Sequence, residues 1–513
     1  MKLDRTPQFE EALRLMAGEQ PFVFITGRAG TGKSTLLRHF VETTGCGTPV
    51  LAPTGVAALN VNGETVHRFF RFPPGISVRD AKRKGAAARD NQLYAAINVL
   101  VIDEISMVRA DLLDCVDEFL RAARSDRRPF GGMRVVAIGD LYQLPPVVTS
   151  AEKAAFTQLY PSPYFFSSKV VERLIDTDSL AFVELEKVYR QTDEAFIAFL
   201  NGIRNRSITD EELALLNRRA RRPGPVADGI VLTPTNQAAD AINADRLSHV
   251  PWKERIFEAS VSGDFPEREA PTDVLLPLKR GARVMCVVND GGSRFVNGSL
   301  GWVRAVHKNG VEVELDDGGD TVRIEPHTWT LYRSVYDPKA RQLTQERIGS
   351  FTQIPVRLAW ALTIHKSQGK TFDRAVIDMG RGAFAAGQTY VALSRCRSLE
   401  GLTLVQPLAV RDIRLDYAIV KFLTTMQYRL ASQNLPIDRK VAVLKRAIQG
   451  KKAVAITYLK AKDEKSRRKI IPYAVEDAEY AGHPFLALRA YCLLRKEERT
   501  FNVERILDIK ETS

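Results

Sequence analysis

The sequence predicts an α/β protein: two parallel-sheet domains share a nucleotide site, a small β-barrel interrupts the second, and a β-rich module closes the chain. Three observations predict this. An apolar run, Phe22 to Ile25, passes through a glycine-rich turn, GRAGTGKS at 27–34, into a helical pattern from Thr35 onward. The same strand, polar turn and helix plan recurs in GIVLTPTNQAADAIN at 229–243. Between about 279 and 350 that plan gives way to short alternating segments separated by Gly, Asn and Asp. At 513 residues the chain is too long for one hydrophobic core and divides into three or four domains, at roughly 100–200 residues each.

Composition narrows the class. The chain is 45% hydrophobic and 26% charged, as a water-soluble globular protein is, and its 74 Lys and Arg exceed 61 acids, for a net charge of +13 that favours a polyanionic partner. No apolar run is long enough to span a bilayer, and the start, MKLDRTPQFEEAL, lacks the apolar core of a signal peptide. The expectation is therefore a cytoplasmic protein without a membrane partner. Cys46, Cys115, Cys286, Cys396 and Cys492 are scattered, with no CxxC pair, so they read as reduced thiols rather than disulfides or a zinc site.

Along the chain, Phe9, Leu13 and Met16 repeat at helical spacing over residues 1 to about 20. Gln8 gains interest because it precedes a phosphate loop, where its amide can pair with an adenine edge. In the loop, Gly27, Gly30 and Gly32 let backbone N–H groups converge on phosphate oxygens at a helix N-terminus. Lys33 then reaches the terminal phosphates, and the Ser34 hydroxyl is placed for Mg2+. A strand over 49–52 ends in Pro53, Thr54 and Gly55 ahead of helix-prone VAALNV. GETVHRFFRF, 63–72, interleaves aromatics with His67 and arginines; such residues either stack on bases or form a buried cluster. RDAKRKGAAARD, 79–90, reads as an exposed basic helix or loop.

The apolar strand over 98–102 ends in Asp103 and Glu104. At this distance after a phosphate loop, one carboxylate suits Mg2+ and its neighbour suits orienting the attacking water. PFGG at 129–132 leads to RVVAIGD and then LYQLPPV, where Gln143 lies just past the strand end, positioned to sense a γ-phosphate. From about 180 the pattern resets, and Arg190 precedes an amphipathic helix. This second α/β unit has no phosphate loop, so it is expected to close over the first and offer arginines to its nucleotide. WALTIHKSQGKTFDRAVIDM and GQTYVALSRC resume the α/β pattern, the second placing Arg395 on a helix four residues after Val391. After Ser432, Gln433 and Asn434 a basic helix precedes the last, β-rich module, whose KDEKSRRK run reads as a solvated hairpin turn.

The ordered series GRAGTGKS, APTGVAA, TVH, DEISM, PFGG with GDLYQLPPV, YRQ near 190, TIHKSQG and YVALSR resembles the superfamily-1B DNA helicases, in their Pif branch, over roughly residues 5–410. The resemblance implies two RecA-like domains (1–178, then 179–278 with 351–430), an SH3-like insertion at 279–350, ATP and Mg2+. Carried over, Lys33 is the phosphate lysine, Ser34 and Asp103 the metal residues, Glu104 the base and Gln143 the γ-phosphate sensor. Arg190 and Arg395 become arginine fingers from the second domain, and Gln8 the adenine reader. Gly27, Gly30, Thr31, Gly32, Thr35 and Gly369 complete the nucleotide set. Pro53, Thr54, Gly55, His67, Thr363, His365 and Lys366 fall in motifs that line the single-stranded DNA track. The resemblance further implies 5′-to-3′ movement, single-stranded DNA and single-strand/duplex junctions as partners, and a monomer.

There are departures. GDLYQLPPV carries Leu-Tyr where the family usually has Phe and a variable residue, and the stretch between His67 and Asn98 is short, which implies a small strand-separating element and weak unwinding. Residues 431–513 resemble a WYL domain through AYC (490–492), RTF (499–501) and ERI (504–506), while the signature tripeptide aligns with Leu486-Ala487-Leu488. That resemblance implies a bacterial, nucleoid-associated protein whose last domain binds a ligand or nucleic acid, with Arg467, Arg489, Tyr491 and Arg499 as candidate contacts. Two other functions remain open: a translocase that strips proteins from single strands without unwinding, and a ligand-responsive DNA-binding regulator whose ATPase is a switch.

Overall fold

The computed structural model describes residues 5–44, 48–191, 193–220, 229–292, 294–316, 319–337, 342–460, 463–480 and 483–511. Cys46 lies outside them; the other four cysteines are buried and free. The chain forms two compact units, one covering residues up to 414 apart from 205–207, the other 205–207 with 415 onward.

The first unit opens with helix α1 (Pro7–Ala17), capped by Thr6, whose hydroxyl accepts from the Phe9 N–H at 3.2 Å. A six-stranded sheet follows: β1 (Phe22–Gly27), β2 (Val50–Ala52), β3 (Glu64–Thr65), β4 (Val99–Ile102), β5 (Arg134–Ile138) and β6 (Leu180–Leu185). Their order is β3-β2-β4-β5-β1-β6, and every pairing is parallel. β1 lies between β5 and β6 and is buried along its whole length, which is why FVFI carries no alternation. Helix α2 (Lys33–Thr44) and α1 bury Leu36, Leu37, Phe40, Phe9, Ala12 and Met16 in the core that also contains Val23 and Ile25.

β6 differs from expectation. The boundary at 178/179 would assign it to the second domain, yet it pairs with β1 from Phe22↔Leu180 to Gly27↔Leu185. Parallel pairing beside β1 buries Val183 and Leu185 in the first core and Phe182 against Phe24, with ring centroids 5.9 Å apart, so the first sheet extends to residue 185.

The second parallel sheet has four strands in the order Ala361–Thr363, Ile230–Thr233, Ala375–Ile377, Leu402–Leu404. The insertion is longer than 279–350. Arg255–Glu258 pairs with Leu275–Leu278, Ser260–Gly263 is the third strand beside a long hairpin (His327–Asp337 and Gln342–Gln353), and five strands between Arg283 and Leu358 form an antiparallel sheet. These outer strands escape a sequence reading because they alternate poorly: Ser260–Gly263 is exposed at all four positions.

GETVHRFFRF resolves towards packing. Helix α3 (Gly55–Asn60) precedes β3, and helix α4 (Val66–Phe69) follows it. Phe69, Phe70 and Phe72 are buried, and Phe70 meets Phe119 and Tyr94 at ring distances of 5.2 and 6.2 Å. These rings are core, not a stacking platform. The basic run behind them is the helix Val78–Ala87.

The second unit has helices Tyr417–Asn434 and Ile437–Gln449 and a five-stranded antiparallel sheet. Leu444, Ile456, Ile470, Leu488, Phe501 and Ile506 fill its core.

Candidate nucleotide site and nucleic-acid track

The phosphate loop leaves β1 with Gly30 and Gly32 at φ of 80° and 87°, a region that side chains disfavour. Gly30 also permits a close approach: a Cβ there would lie 2.5 Å from the Arg190 Cβ. The Tyr189 N–H donates to the Gly30 carbonyl at 2.8 Å, and the Thr31 hydroxyl donates to the Arg28 carbonyl at 2.9 Å. Lys33 Nζ donates to the Gly27 and Arg28 carbonyls at 2.7 and 3.0 Å. Burial pulls its pKa down, opposed by the charges of Asp140, Glu104 and Asp103. Ser34 and Thr35 are exposed on the first turn of α2, and Gln8 is half-buried near the start of α1.

Asp103 and Glu104 follow β4 at its C-terminal end. Glu104 is left-handed, at φ 49° and ψ 43°, a costly conformation for a glutamate. Burial raises Glu104, the neighbouring Asp103 adds to the rise, and burial raises Asp103 as well. Gln143 is buried and its Nε2 donates to Asp140 Oδ2 at 3.2 Å. Arg395 is 1% exposed, and its guanidinium donates to the Val391 carbonyl, the Lys370 carbonyl and the Ser394 hydroxyl at 2.9, 3.3 and 2.8 Å. Burial, then Arg190, pushes it down to about 9.

Lys33, Arg190 and Arg395 thus face Asp103, Glu104 and Asp140 closely enough to perturb one another, though no direct ion pair joins them among the described residues. That arrangement suits a polyphosphate set against the cations. No cluster of three or more His, Cys, Asp or Glu among the described residues is placed to hold a metal. Ser34, on the first turn of α2, and Asp103, just past β4, each carry the oxygen donors that Mg2+ prefers alongside substrate phosphates.

Arg190 departs from expectation in one respect. It follows β6 of the first sheet by five residues and is tied to the loop through the neighbouring Tyr189, so it belongs with the phosphate loop. Its bonds to the second domain's elements go to the Ser394 and Gly369 carbonyls, both at 3.5 Å. Arg395 is the arginine carried by the second domain.

The residues expected to line the strand lie at or just past strand ends. Pro53 and Thr54 follow β2, and Thr54 caps α3, accepting from the Ala57 N–H at 3.3 Å. Gly55 packs on the insertion, where a Cβ would meet Glu269 Cγ at 2.6 Å. His67 is half-buried on α4. Thr363 is buried, and its hydroxyl accepts from the Lys366 N–H at 3.2 Å; it shapes the turn while Lys366 is exposed and His365 half-buried. Burial lowers the pKa of both.

The profile of the family described as PIF1-like helicase matches residues 8–213. The ATP-dependent DNA helicase Pif1 of Bdellovibrio bacteriovorus is 31% identical over 417 residues, covering 79% of this chain and 88% of that protein. The chain belongs to the PIF1-like helicases. The human ATP-dependent DNA helicase PIF1 is 38% identical over 82% of this chain; the match spans 64% of the human protein, under two-thirds of its length. A crystal structure of Bacteroides sp. Pif1 in complex with ADP-AlF4 superposes with a TM-score of 0.74 at 37% identity, covering 83% of this chain and 97% of that one. A WYL domain profile matches residues 439–511.

Two residues of this PIF1-like site, Tyr390 and Asp140, and a structural parallel of Thr54 at Thr235, were missed by sequence reading. Tyr390, on the helix Gln388–Leu393, accepts from the Ala29 N–H at 3.0 Å, joining the second domain to the loop across 361 positions of sequence. Nothing local signals that. Asp140, 0% exposed, has a signal in the GD that ends β5, and it anchors Gln143 and the Tyr142 N–H. Thr235 caps the helix Asn236–Ser248 at φ −124° and ψ 150°, against −128° and 153° for Thr54. The repeated Pro-Thr after a strand was its signal.

In the WYL unit, Leu486-Ala487-Leu488 lies in the strand His483–Cys492, with Ala487 and Leu488 buried. Arg467, Arg489 and Tyr491 are exposed, and Ile471↔Tyr491 pairing places Arg467 and Tyr491 on one face. Arg499 pairs with buried Ala490, which puts it on the opposite register, and it bonds Glu497 at 2.7 Å. The expected contact set therefore does not gather as one group.

Proposed function

We propose that this chain is an ATP-dependent DNA helicase that moves 5′-to-3′ on single-stranded DNA, with two motor domains that close on ATP and part after hydrolysis. The observation that carries the reading is the convergence of Lys33, Glu104, Asp140 and Arg190 from the first sheet with Tyr390 and Arg395 from the second around one phosphate loop. A nucleotide drives motion only if it favours one domain arrangement, and a site built from both domains has that property. The names of the human and Bdellovibrio relatives, both ATP-dependent DNA helicases, support it.

In this reading Lys33 holds the terminal phosphates, Glu104 takes the proton of the attacking water, and Gln143 registers the γ-phosphate through Asp140. Arg190 and Arg395 stabilise charge as the bridging bond between the β- and γ-phosphates breaks and ADP leaves. Ser34 and Asp103 would hold Mg2+, which supplies charge neutralisation on the phosphate oxygens. Gln8 reads adenine, with Thr31, Thr35 and Gly369 bordering the nucleotide. Pro53, Thr54, Gly55, His67, His365 and Lys366, with Thr235 added, line the strand, and Thr363 acts by shaping its turn. The WYL domain serves as a regulatory or DNA-binding module.

The test is ATP-dependent opening of matched duplexes carrying a 5′ or a 3′ single-stranded tail, with Lys33→Ala as the blank. Opening of the 5′-tailed duplex alone is expected. Opening of the 3′-tailed duplex refutes the direction, and a Lys33→Ala protein that retains DNA-stimulated ATPase refutes the site.

A further inference from the structure

Beside the turn that carries His67, the first domain and the long hairpin of the insertion enclose a cavity of about 260 Å3. Glu64, Arg68, Arg71 and Tyr94 line one side; Arg333 and Tyr336 line the other. Glu64 is 6% exposed. Its Oε1 accepts from the N–H and hydroxyl of Ser334 at 2.8 and 2.9 Å, while Oε2 is buried with no hydrogen-bond partner among the described residues. Arg68 mirrors this. Its Nη2 pairs with Glu269 at 3.3 Å, and its buried Nη1 has no partner among the described residues.

Buried polar atoms are almost always paired in a folded interior. Here one wall of one cavity presents an unpaired acceptor beside an unpaired donor; burial raises the pKa of Glu64, and the Ser334 hydrogen bonds and the charges of Arg68 and Arg333 pull against that rise. Arg71 is exposed and left-handed at φ 53°, and Arg333 is half-buried. A free phosphate would satisfy these cations but set its charge against Glu64. A ligand that meets every group needs a donor for Glu64, an adjacent acceptor for Arg68, and an anion held outside at Arg71 and Arg333. A nucleotide has that constitution, since the Watson–Crick edge of every base offers an N–H beside a carbonyl or ring nitrogen.

We propose that this cavity binds one nucleotide of a DNA strand, base turned inward against Glu64 and Arg68, phosphate on Arg71 and Arg333. The proposal rests on the helicase reading above. Because every base carries such an edge, occupancy is tolerant of sequence. Two strands have this chemistry, the tracked single strand and the strand displaced at a fork.

The test uses the full-length wild-type chain and a single abasic site walked along a single-stranded oligonucleotide, and along each arm of a forked duplex, with affinity read by fluorescence anisotropy. One position should bind about 5- to 30-fold more weakly when its base is missing, in line with the loss of one base contact. If that position lies on the single strand the occupant is the tracked strand; if it appears only in the other arm of the fork, it is the displaced strand. 5-Iodouracil at that position should crosslink to Tyr336, mapped by mass spectrometry. Arg71→Ala with Arg333→Ala should lower the salt dependence of binding by about one phosphate contact.

An abasic scan that is flat on both substrates overturns the proposal, as does a crosslink mapped away from the cavity. A reduced salt slope with a flat scan also overturns it, leaving a backbone contact only. The scan needs no variant, so misfolding of a substituted protein does not affect it. DNA-stimulated ATPase and 5′-tailed unwinding, run alongside, report separately on the helicase reading.

Discussion

Replacing Tyr390 by Phe removes one oxygen atom from the seam between the motor domains. The Tyr390 hydroxyl accepts from the Ala29 N–H in the phosphate loop at 3.0 Å and lies 3.5 Å from Asp140 Oδ2. Tyr390 and Ala29 are 4% and 6% exposed, so water cannot readily replace the lost acceptor. Leaving a buried backbone N–H unpaired costs about 1–3 kcal/mol. The ring stays and local readjustment recovers part of the loss, so the closed arrangement should be weakened by about 1–2 kcal/mol, a factor of roughly 5–30 in its equilibrium constant. The assay is steady-state ATPase at saturating single-stranded DNA, with DNA affinity measured separately without nucleotide. KM for ATP should rise by about 5- to 30-fold while nucleotide-free DNA affinity is unchanged. An unchanged KM, or a matching loss of nucleotide-free DNA affinity, would refute the claim that this bond couples nucleotide to closure.

Glu104→Gln should keep nucleotide binding, measured with a fluorescent ADP analogue, and lose about 10²–10⁴-fold in kcat, the range for a removed general base. Phe119→Ala should destabilise the first domain by about 3–5 kcal/mol, because Phe119 is 2% exposed and meets Phe70, Phe72 and Tyr94; thermal unfolding checks this, and lost DNA affinity at unchanged stability would revive base stacking by these rings. Lys370 is pulled down to about 8, chiefly by burial. Its charged form is therefore penalised in the fold, and the penalty fades as pH rises from 8 through 10.5. The stability of Lys370→Met minus wild type should accordingly fall by about 2–3 kcal/mol between pH 7.5 and 10.5 in thermal or urea unfolding, and a pH-independent difference would contradict the assignment.

The first domain was legible because its chemistry is local. Eight consecutive residues, 27–34, spell the loop, and an apolar strand ending in two acids spells the opposite wall. Arg190 and Arg395 were nameable through resemblance, but their attachment was not, since membership of a sheet depends on a partner strand far away in sequence. Leu180–Leu185 looks the same whether it starts one sheet or finishes another; only pairing with Phe22–Gly27 decides. The insertion was seen where hydrophobic alternation is strong and missed where Arg255–Glu258 and Ser260–Gly263 expose most of their side chains. The aromatics of 69–72 were undecidable from composition, because stacking on bases and packing on Phe119 demand the same residue types. Glu64 gave no signal, as its unpaired oxygen exists only once the hairpin closes over it.

The placement of Arg190 has a mechanical consequence. In the proposed cycle, an arginine joined by five residues to the edge of the first sheet, with its neighbour bonded to the loop carbonyl of Gly30, travels with that loop. It would act as the fixed jaw of a vice. Arg395 and Tyr390 would form the moving jaw, so the two arginines would answer to different variables: one to whether phosphate is present, the other to whether the vice is shut. Only the second would carry news of the proposed DNA-bound domain back to the chemistry.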